Sequence, residues 1–209
     1  MKVILFNGSP KANGCTYTAL QEVASALNAD GIETEIFQIG SNPVRGCVGC
    51  GQCGKNPDHH CAFTEDTVNA AIDKVKEADG FVFGSPVHFA GASGFITPFM
   101  DRLFFAAGSY LMYKPAACIA SARRAGTTAT LDQLNRYMGI RNMPVISSSY
   151  WNMVHGSNPE DVKQDLEGLQ TMQNIGHNMA WMLQCIEAGK ANGIVHPTPV
   201  SGSKTSFIR

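Results

Sequence analysis

Five short apolar runs rich in β-branched residues are spaced along the chain, at Val3–Phe6, Thr34–Ile39, Gly80–Gly84, Ala116–Ser121 and Pro144–Ser148, and a helical pattern fills every gap between them. Continuous apolar runs of this kind fit strands buried on both faces of a sheet. Leu20, Val23, Ala24 and Leu27 form the first helical stripe, and Val68, Ile72, Val75 and Ala78 the second. Thr64 is a candidate cap for the second, with Glu65 and Asp66 in its first turn. Phe95–Ala107 and Thr127–Met138 read as two more helices. A fifth is predicted to run unbroken to Gly189, with Asn158 as its cap, Pro159 in its first position, and apolar residues from Val162 to Ile186 at steps of three or four. Strands alternating with helices make βαβ units and a doubly wound α/β sheet. Residues 1–190 then form one domain, and residues 191–209, rich in Gly, Pro, Ser and Thr, an extended tail.

Composition narrows the function. The formal charge is −1, from 16 basic and 17 acidic residues, which argues against a nucleic-acid binder that needs a basic face. It also argues against a strongly acidic electron carrier. The most apolar stretch is broken by Asp101 and Arg102, so no membrane span is expected. The apolar run after Lys2 is too short for a secretory signal, and a cytoplasmic location is expected. There, crowded thiols point to metal or redox chemistry more than to a disulfide framework.

In doubly wound sheets ligands bind beyond the carboxyl ends of the strands. The loop after the first strand reads Asn7-Gly8-Ser9-Pro10-Lys11-Ala12-Asn13-Gly14-Cys15-Thr16 and opens a helix. Small and hydroxyl residues there expose N–H and Oγ donors at a positive helix end, which makes a phosphate cradle. Cys15-Thr16 after Gly14, in place of Lys-Ser/Thr, excludes a Walker A loop. The loop after the third strand, Gly84 to Gly94, sets His88 and Phe89 among glycines, an arrangement suited to lying along a flat heterocycle. His88 taken alone reads equally as a loop-packing histidine. After the fourth strand come Arg123 and Arg124, ordinary solvated charges unless an anion lies beside them. Trp151 and His155 are candidates to roof a ligand or to pack under the last helix.

Four of the seven cysteines fall in Cys47-x2-Cys50-x2-Cys53-x7-Cys61. Three readings stay open. Three thiolates at x2 spacing suit a [4Fe–4S] cluster closed by a fourth, and Gly46, Gly49, Gly51 and Gly54 give the backbone freedom to wrap it. Zinc fits if His59 or His60 substitutes for a thiol. Free or redox-active thiols are the third. Cys118 and Cys185 are expected to be buried and inert.

Taken together, Gly8-Ser9-Pro10-Lys11-x-x-Gly14-x-Thr16, Ser85-Pro86-Val87-His88 and Asp101-Arg102 resemble the flavodoxin-like NADPH-dependent FMN reductases and iron–sulfur flavoproteins, over about Met1 to Met182. The resemblance implies a flavodoxin-like three-layer sandwich with a five-stranded parallel sheet in the order 2-1-3-4-5. It implies that Ser9, Lys11, Asn13, Gly14, Cys15 and Thr16 hold the phosphate of FMN. Pro86, Val87, His88 and Phe89 would touch the flavin ring, and Arg123, Arg124 and Gly126 would lie near its pyrimidine edge. His88 and Arg123 are the catalytic candidates. Iron–sulfur flavoproteins are similar in placing a cysteine loop between the second strand and second helix, which makes Cys47, Cys50, Cys53 and Cys61 the candidate ligands. NAD(P)H is the implied donor, and a quinone, nitro or azo compound, or free flavin the acceptor. With a cluster present, a ferredoxin-type partner and single-electron exchange are implied instead. A homodimer or higher homo-oligomer is expected. A non-enzymatic thiol- or metal-binding protein is the competing class.

Overall fold

The computed structural model describes residues 1–203 and 205. Five parallel strands form its sheet: β1 (Lys2–Asn7), β2 (Glu33–Gln38), β3 (Gly80–His88), β5 (Ala116–Ala122) and β6 (Met153–His155). The order is β2-β1-β3-β5-β6, with β4 (Gly91–Ala92) turned back antiparallel on the end of β3. Apart from that flap, the order is the flavodoxin-like one expected. Alternation along the strands builds two cores. Ile4, Phe6, Phe81, Phe83 and Cys118 face α2 (Val68–Glu77), α3 (Ile96–Ala106) and α5 (Thr127–Gly139). Val3, Leu5, Val82, Ala117 and Ile119 face α1 (Cys15–Ala29) and α7 (Leu166–Ala191). The first core is strongly aromatic: Phe6 stacks on Phe83 at 5.1 Å, and Phe99 and Phe104 close over the pair. The short α4 (Gly108–Leu111) and α6 (Pro159–Val162) complete the helices.

The fifth strand lies elsewhere than expected. Val145 makes only an isolated bridge to Ala116, and the ladder resumes at Met153–His155 against Ala120–Ala122. Three serines explain the gap. Ser148 Oγ donates to the Thr171 carbonyl at 2.7 Å, Asn178 donates to the Ser147 carbonyl at 2.9 Å, and Asn174 donates to Ser149 Oγ at 2.9 Å. Helix α7 thus holds this segment by one backbone carbonyl and two serine hydroxyls, and the chain bows out before returning.

The long helix is also divided. Asn158 does cap it, accepting from Asp161 N–H at 2.8 Å, but α6 stops at Val162. Asp165 then caps α7 through Gly168 N–H at 3.0 Å, and its other oxygen accepts the His155 N–H at 2.6 Å. A second cap tied to β6 outweighs the continuous apolar stripe. Thr64 caps nothing; α2 opens at Val68, whose N–H donates to Asp66. Cys118 is buried as expected, and burial pushes its thiol far up. Cys185 is exposed on α7, contrary to the expectation. Beyond α7 the described tail has no regular structure, and its His196 ring stacks on Tyr113 at 4.4 Å. The end of the expected tail, residues 204 and 206–209, lies outside the described residues. Among the described residues no helix is long and apolar enough to cross a membrane.

Candidate functional site

Where β1 ends, the chain is pinned from both neighbouring strands. Asn7 Oδ1 accepts the Ser9 N–H at 3.1 Å, and Asn7 Nδ2 donates to Gln38 Oε1 at 2.5 Å. Gln38 Nε2 donates in turn to the Ser9 carbonyl at 2.8 Å, and Ser9 Oγ accepts the Lys11 N–H at 3.1 Å. Helix α1 begins immediately afterwards with Gly14 as its cap residue. No side chain caps it, and its first turn carries no acid. Its first N–H groups and the positive end of a 15-residue helix are therefore left for an anion.

That helix end opens into a cleft of about 300 Å³. Of the residues singled out in the sequence, Ser9, Lys11, Cys15, Thr16, Pro86, Val87, His88 and Arg123 line it. Asn13 and Arg124 are exposed outside the lining, Gly14 caps the helix, and Phe89 projects wholly into solvent at the tip of the β3–β4 flap. Pro10 of the same loop also lines the cleft, as do Ser121, Ala122, Gly156 and Ser157, which were not among the candidates from the sequence. Ser121 is the most informative of these. Its Oγ meets Thr16 Oγ1 at 2.8 Å, so a hydroxyl at the end of β5 steadies the one on α1. Burial pushes the Cys15 thiol up, and it donates to the Gly156 carbonyl at 3.6 Å. His155 does not roof the cleft. Its Nε2 donates to the Arg124 carbonyl at 3.1 Å and ties that loop to β6. Trp151 is exposed and packs on Tyr150.

Gly126 has a packing task. Its φ is +96°, and a Cβ there would stand 2.6 Å from Ala90 Cα and 2.8 Å from Val87 Cγ1. Helix α5 thus starts directly beneath the flap, which it also holds through Gln133 Oε1 accepting the Ala92 N–H at 3.1 Å. Gly126→Ala is expected to destabilise the fold by about 2–3 kcal/mol through strain and overpacking. Thermal unfolding checks this: at this size about 1 kcal/mol shifts Tm by roughly 2–4 °C.

The second feature lies in the loop between β2 and α2. Cys47, Cys50, Cys53 and Cys61 all line one small hollow, closed by Phe63, Arg102 and Phe105. The tight turns come from Gly49 at φ +67° and Gly51 at φ +69°, where side chains are strained although no atom stands within 4 Å of an added Cβ. The Gly49 N–H points at Cys47 Sγ, 3.5 Å away. Cys53 sits on a single 3₁₀ turn, Gln52–Gly54, and is buried. His59 and His60 are turned elsewhere: His59 packs edge-on against Tyr110, and both ring nitrogens of His60 face carboxylates, those of Asp58 and Asp73. Among the described residues no three metal-binding side chains converge tightly enough for a single ion. The thiols ring the hollow instead.

Asn69 of α2 went unnoticed in the sequence. Its Oδ1 accepts the Cys61 N–H at 2.7 Å, and its Nδ2 donates to the Cys61 carbonyl at 3.0 Å. One side chain thereby fixes both peptide groups of the last cysteine. Asn69→Ala is expected to cost about 1–2 kcal/mol of stability. Thermal unfolding of the variant beside the native protein checks this.

A model of the NADPH-dependent FMN reductase family matches residues 1–158. The chain belongs to the NADPH-dependent FMN reductase family. Within this family it is similar to an iron–sulfur flavoprotein of Methanocaldococcus jannaschii, 32% identical over 90% of this chain and 100% of that one. An iron–sulfur flavoprotein of Methanosarcina thermophila is 21% identical over 91% of this chain and 99% of its own length. Among solved structures, a flavone reductase superposes with TM-score 0.68 at 18% identity, over 90% of this chain and 64% of that one. An archaeal flavodoxin superposes with TM-score 0.61 at 15% identity, over 88% and 99%. These two likenesses establish the flavodoxin-like fold of the FMN reductase family member.

Proposed function

We propose that this chain is an FMN-dependent oxidoreductase that carries a [4Fe–4S] cluster on Cys47, Cys50, Cys53 and Cys61 and exchanges single electrons with a ferredoxin-type partner. The observation that carries the reading is the hollow itself: four thiols and no imidazole line it. A zinc ion, with bonds of about 2.3 Å to sulfur, requires thiolates nearly in contact, whereas a cuboid cluster spans a ring of them. The names of the curated relatives support the same reading.

When bound, FMN supplies both hydride and one-electron chemistry, and the protein supplies position and electrostatics. The first-turn N–H groups of α1, with Ser9 and Thr16 Oγ and the Lys11 ammonium, hold the phosphate dianion. Pro86 to His88 line the cleft and would contact the ring. Arg123, exposed at the end of β5, would favour negative charge on a bound flavin. The His88 imidazole, at the open end of β3, would offer a hydrogen bond to the bound ring. Phe89, Asn13, Arg124 and Gly126 act from outside the lining, through the flap and the loops they shape.

A second reading is favoured by the family description and by the exposed mouth of the cleft at His88 and Arg123. NAD(P)H would be the hydride donor there, and a quinone, nitro or azo compound, or free flavin would take the electrons. Purification without air, with visible spectrum, flavin, iron and sulfide analysis, tests both. Flavin with about four irons per chain supports the first reading. Flavin without iron, and reduction by NAD(P)H, supports the second. A colourless protein that takes up no added FMN overturns both and leaves a thiol- or metal-binding role.

A further inference from the structure

Helix α3 carries two charged residues, Asp101, which faces solvent, and Arg102, which does not. Arg102 is 1% exposed. Removing a guanidinium from water carries a large desolvation cost that only dense pairing offsets. The pairing is dense and aimed entirely at the cysteine loop. Nη1 contacts the Asp66 carboxylate and donates to the Arg45 carbonyl at 3.3 Å. Nη2 donates to the Phe63 carbonyl at 2.8 Å. These three oxygens belong to the two ends of the loop, so the cation closes its neck. The fourth contact is different in kind: Nε–H points at Cys61 Sγ, 3.3 Å away. A neck clamp does not require it.

We propose that Arg102 is a positioning residue that sets the reduction potential of the cluster, through its N–H···S bond to Cys61, while Asp66 offsets its charge. The inference rests on the reading that the loop holds an iron–sulfur cluster. Reduction adds one negative charge to such a cluster, and hydrogen bonds to its sulfurs and nearby positive charge favour the reduced form. Arg102 supplies both. Asp66, itself almost buried beside it, cancels much of the charge and leaves the hydrogen bond as the larger influence.

Two variants read this with opposite signs. Arg102→Lys keeps a cation near Asp66 but loses the planar fork that reaches sulfur and both carbonyls at once. The cluster should become harder to reduce, by about tenfold in its redox equilibrium, which is about 59 mV for one electron. Asp66→Asn keeps the shape and removes the offsetting charge, so the cluster should become easier to reduce by a similar factor. An anaerobic titration of full-length protein, followed by the cluster's electron paramagnetic resonance signal, gives both potentials. Iron and flavin contents are measured alongside. If Arg102→Lys sheds its iron, the sign for Asp66→Asn decides alone. Unchanged potentials in iron-loaded variants, or shifts in the same direction, overturn the inference and leave the cluster reading standing. A native protein without iron overturns both.

Discussion

Cys50→Ser is expected to strip iron from the protein and leave flavin binding intact. The two features share no lining residue: the thiols ring a hollow bounded by α3, while the cleft is built from the ends of β1, β3 and β5. Cys50 is exposed, so the substitution removes no core packing, and stability should change by less than about 0.5 kcal/mol. Iron should fall from about four atoms per chain to below one, since a serine hydroxyl is a far weaker ligand than a thiolate. Electron exchange with a ferredoxin-type partner should drop about 100-fold or more, while FMN binds with unchanged affinity. Iron analysis and a flavin fluorescence titration on the same sample decide it. Loss of flavin together with iron would show that the loop supports the cleft. Retention of iron would show that Cys50 is not a ligand. Cys53→Ser should differ, losing stability as well as iron, because Cys53 is packed in the core beneath the turn.

Cys15→Asp is expected to weaken FMN binding about 100-fold or more. In the flavin-free protein a carboxylate in the first turn of α1 gains about 0.3–1 kcal/mol from the helix dipole, set against its partial burial and the nearby Asp161 and Glu160. In the complex the same carboxylate faces a phosphate dianion. Unit charges about 4 Å apart repel by about 4 kcal/mol at an effective dielectric of about 20. Half of that already weakens binding roughly 30-fold, at about 1.4 kcal/mol per factor of ten. Cys15→Ser is the control and should bind FMN nearly as the native protein does. Equal affinities for all three proteins would place the phosphate elsewhere.

The architecture was readable because both periodicities are strong. Alternation along Val3 to Phe6 sorts residues to the two cores, and the stripe Leu20, Val23, Ala24 and Leu27 is buried, with Ala19 and Ala26 beside it. The misplacements share a cause: polar side chains that bond across the fold. Ser147, Ser148 and Ser149 resemble the end of a strand until α7 offers them partners. Asp165 resembles a surface position on a continuous helix until His155 lies beside it. The site divides in the same way. The loop from Ser9 to Thr16 announces itself, because glycine and hydroxyl residues leading into a helix have few other uses. Ser121 and Asn69 are ordinary in sequence and matter only because the fold sets them against Thr16 and Cys61. Arg102 was visible as part of a pair, yet its partner proved to be the cysteine loop and not its neighbour Asp101, which meets Tyr137 instead.

The two outer strands of the sheet differ in how they resist accretion by other chains. An unpaired edge is a template on which foreign backbone can add. At one side β6 offers only three residues, too few for a stable new ladder. At the other, β2 carries Glu33 and Glu35, with Lys2 and Lys74 bound to Glu35. A strand arriving there must disturb that charged fringe before its own hydrogen bonds form. A sheet guarded in this way offers arriving backbone no ready ladder at either edge.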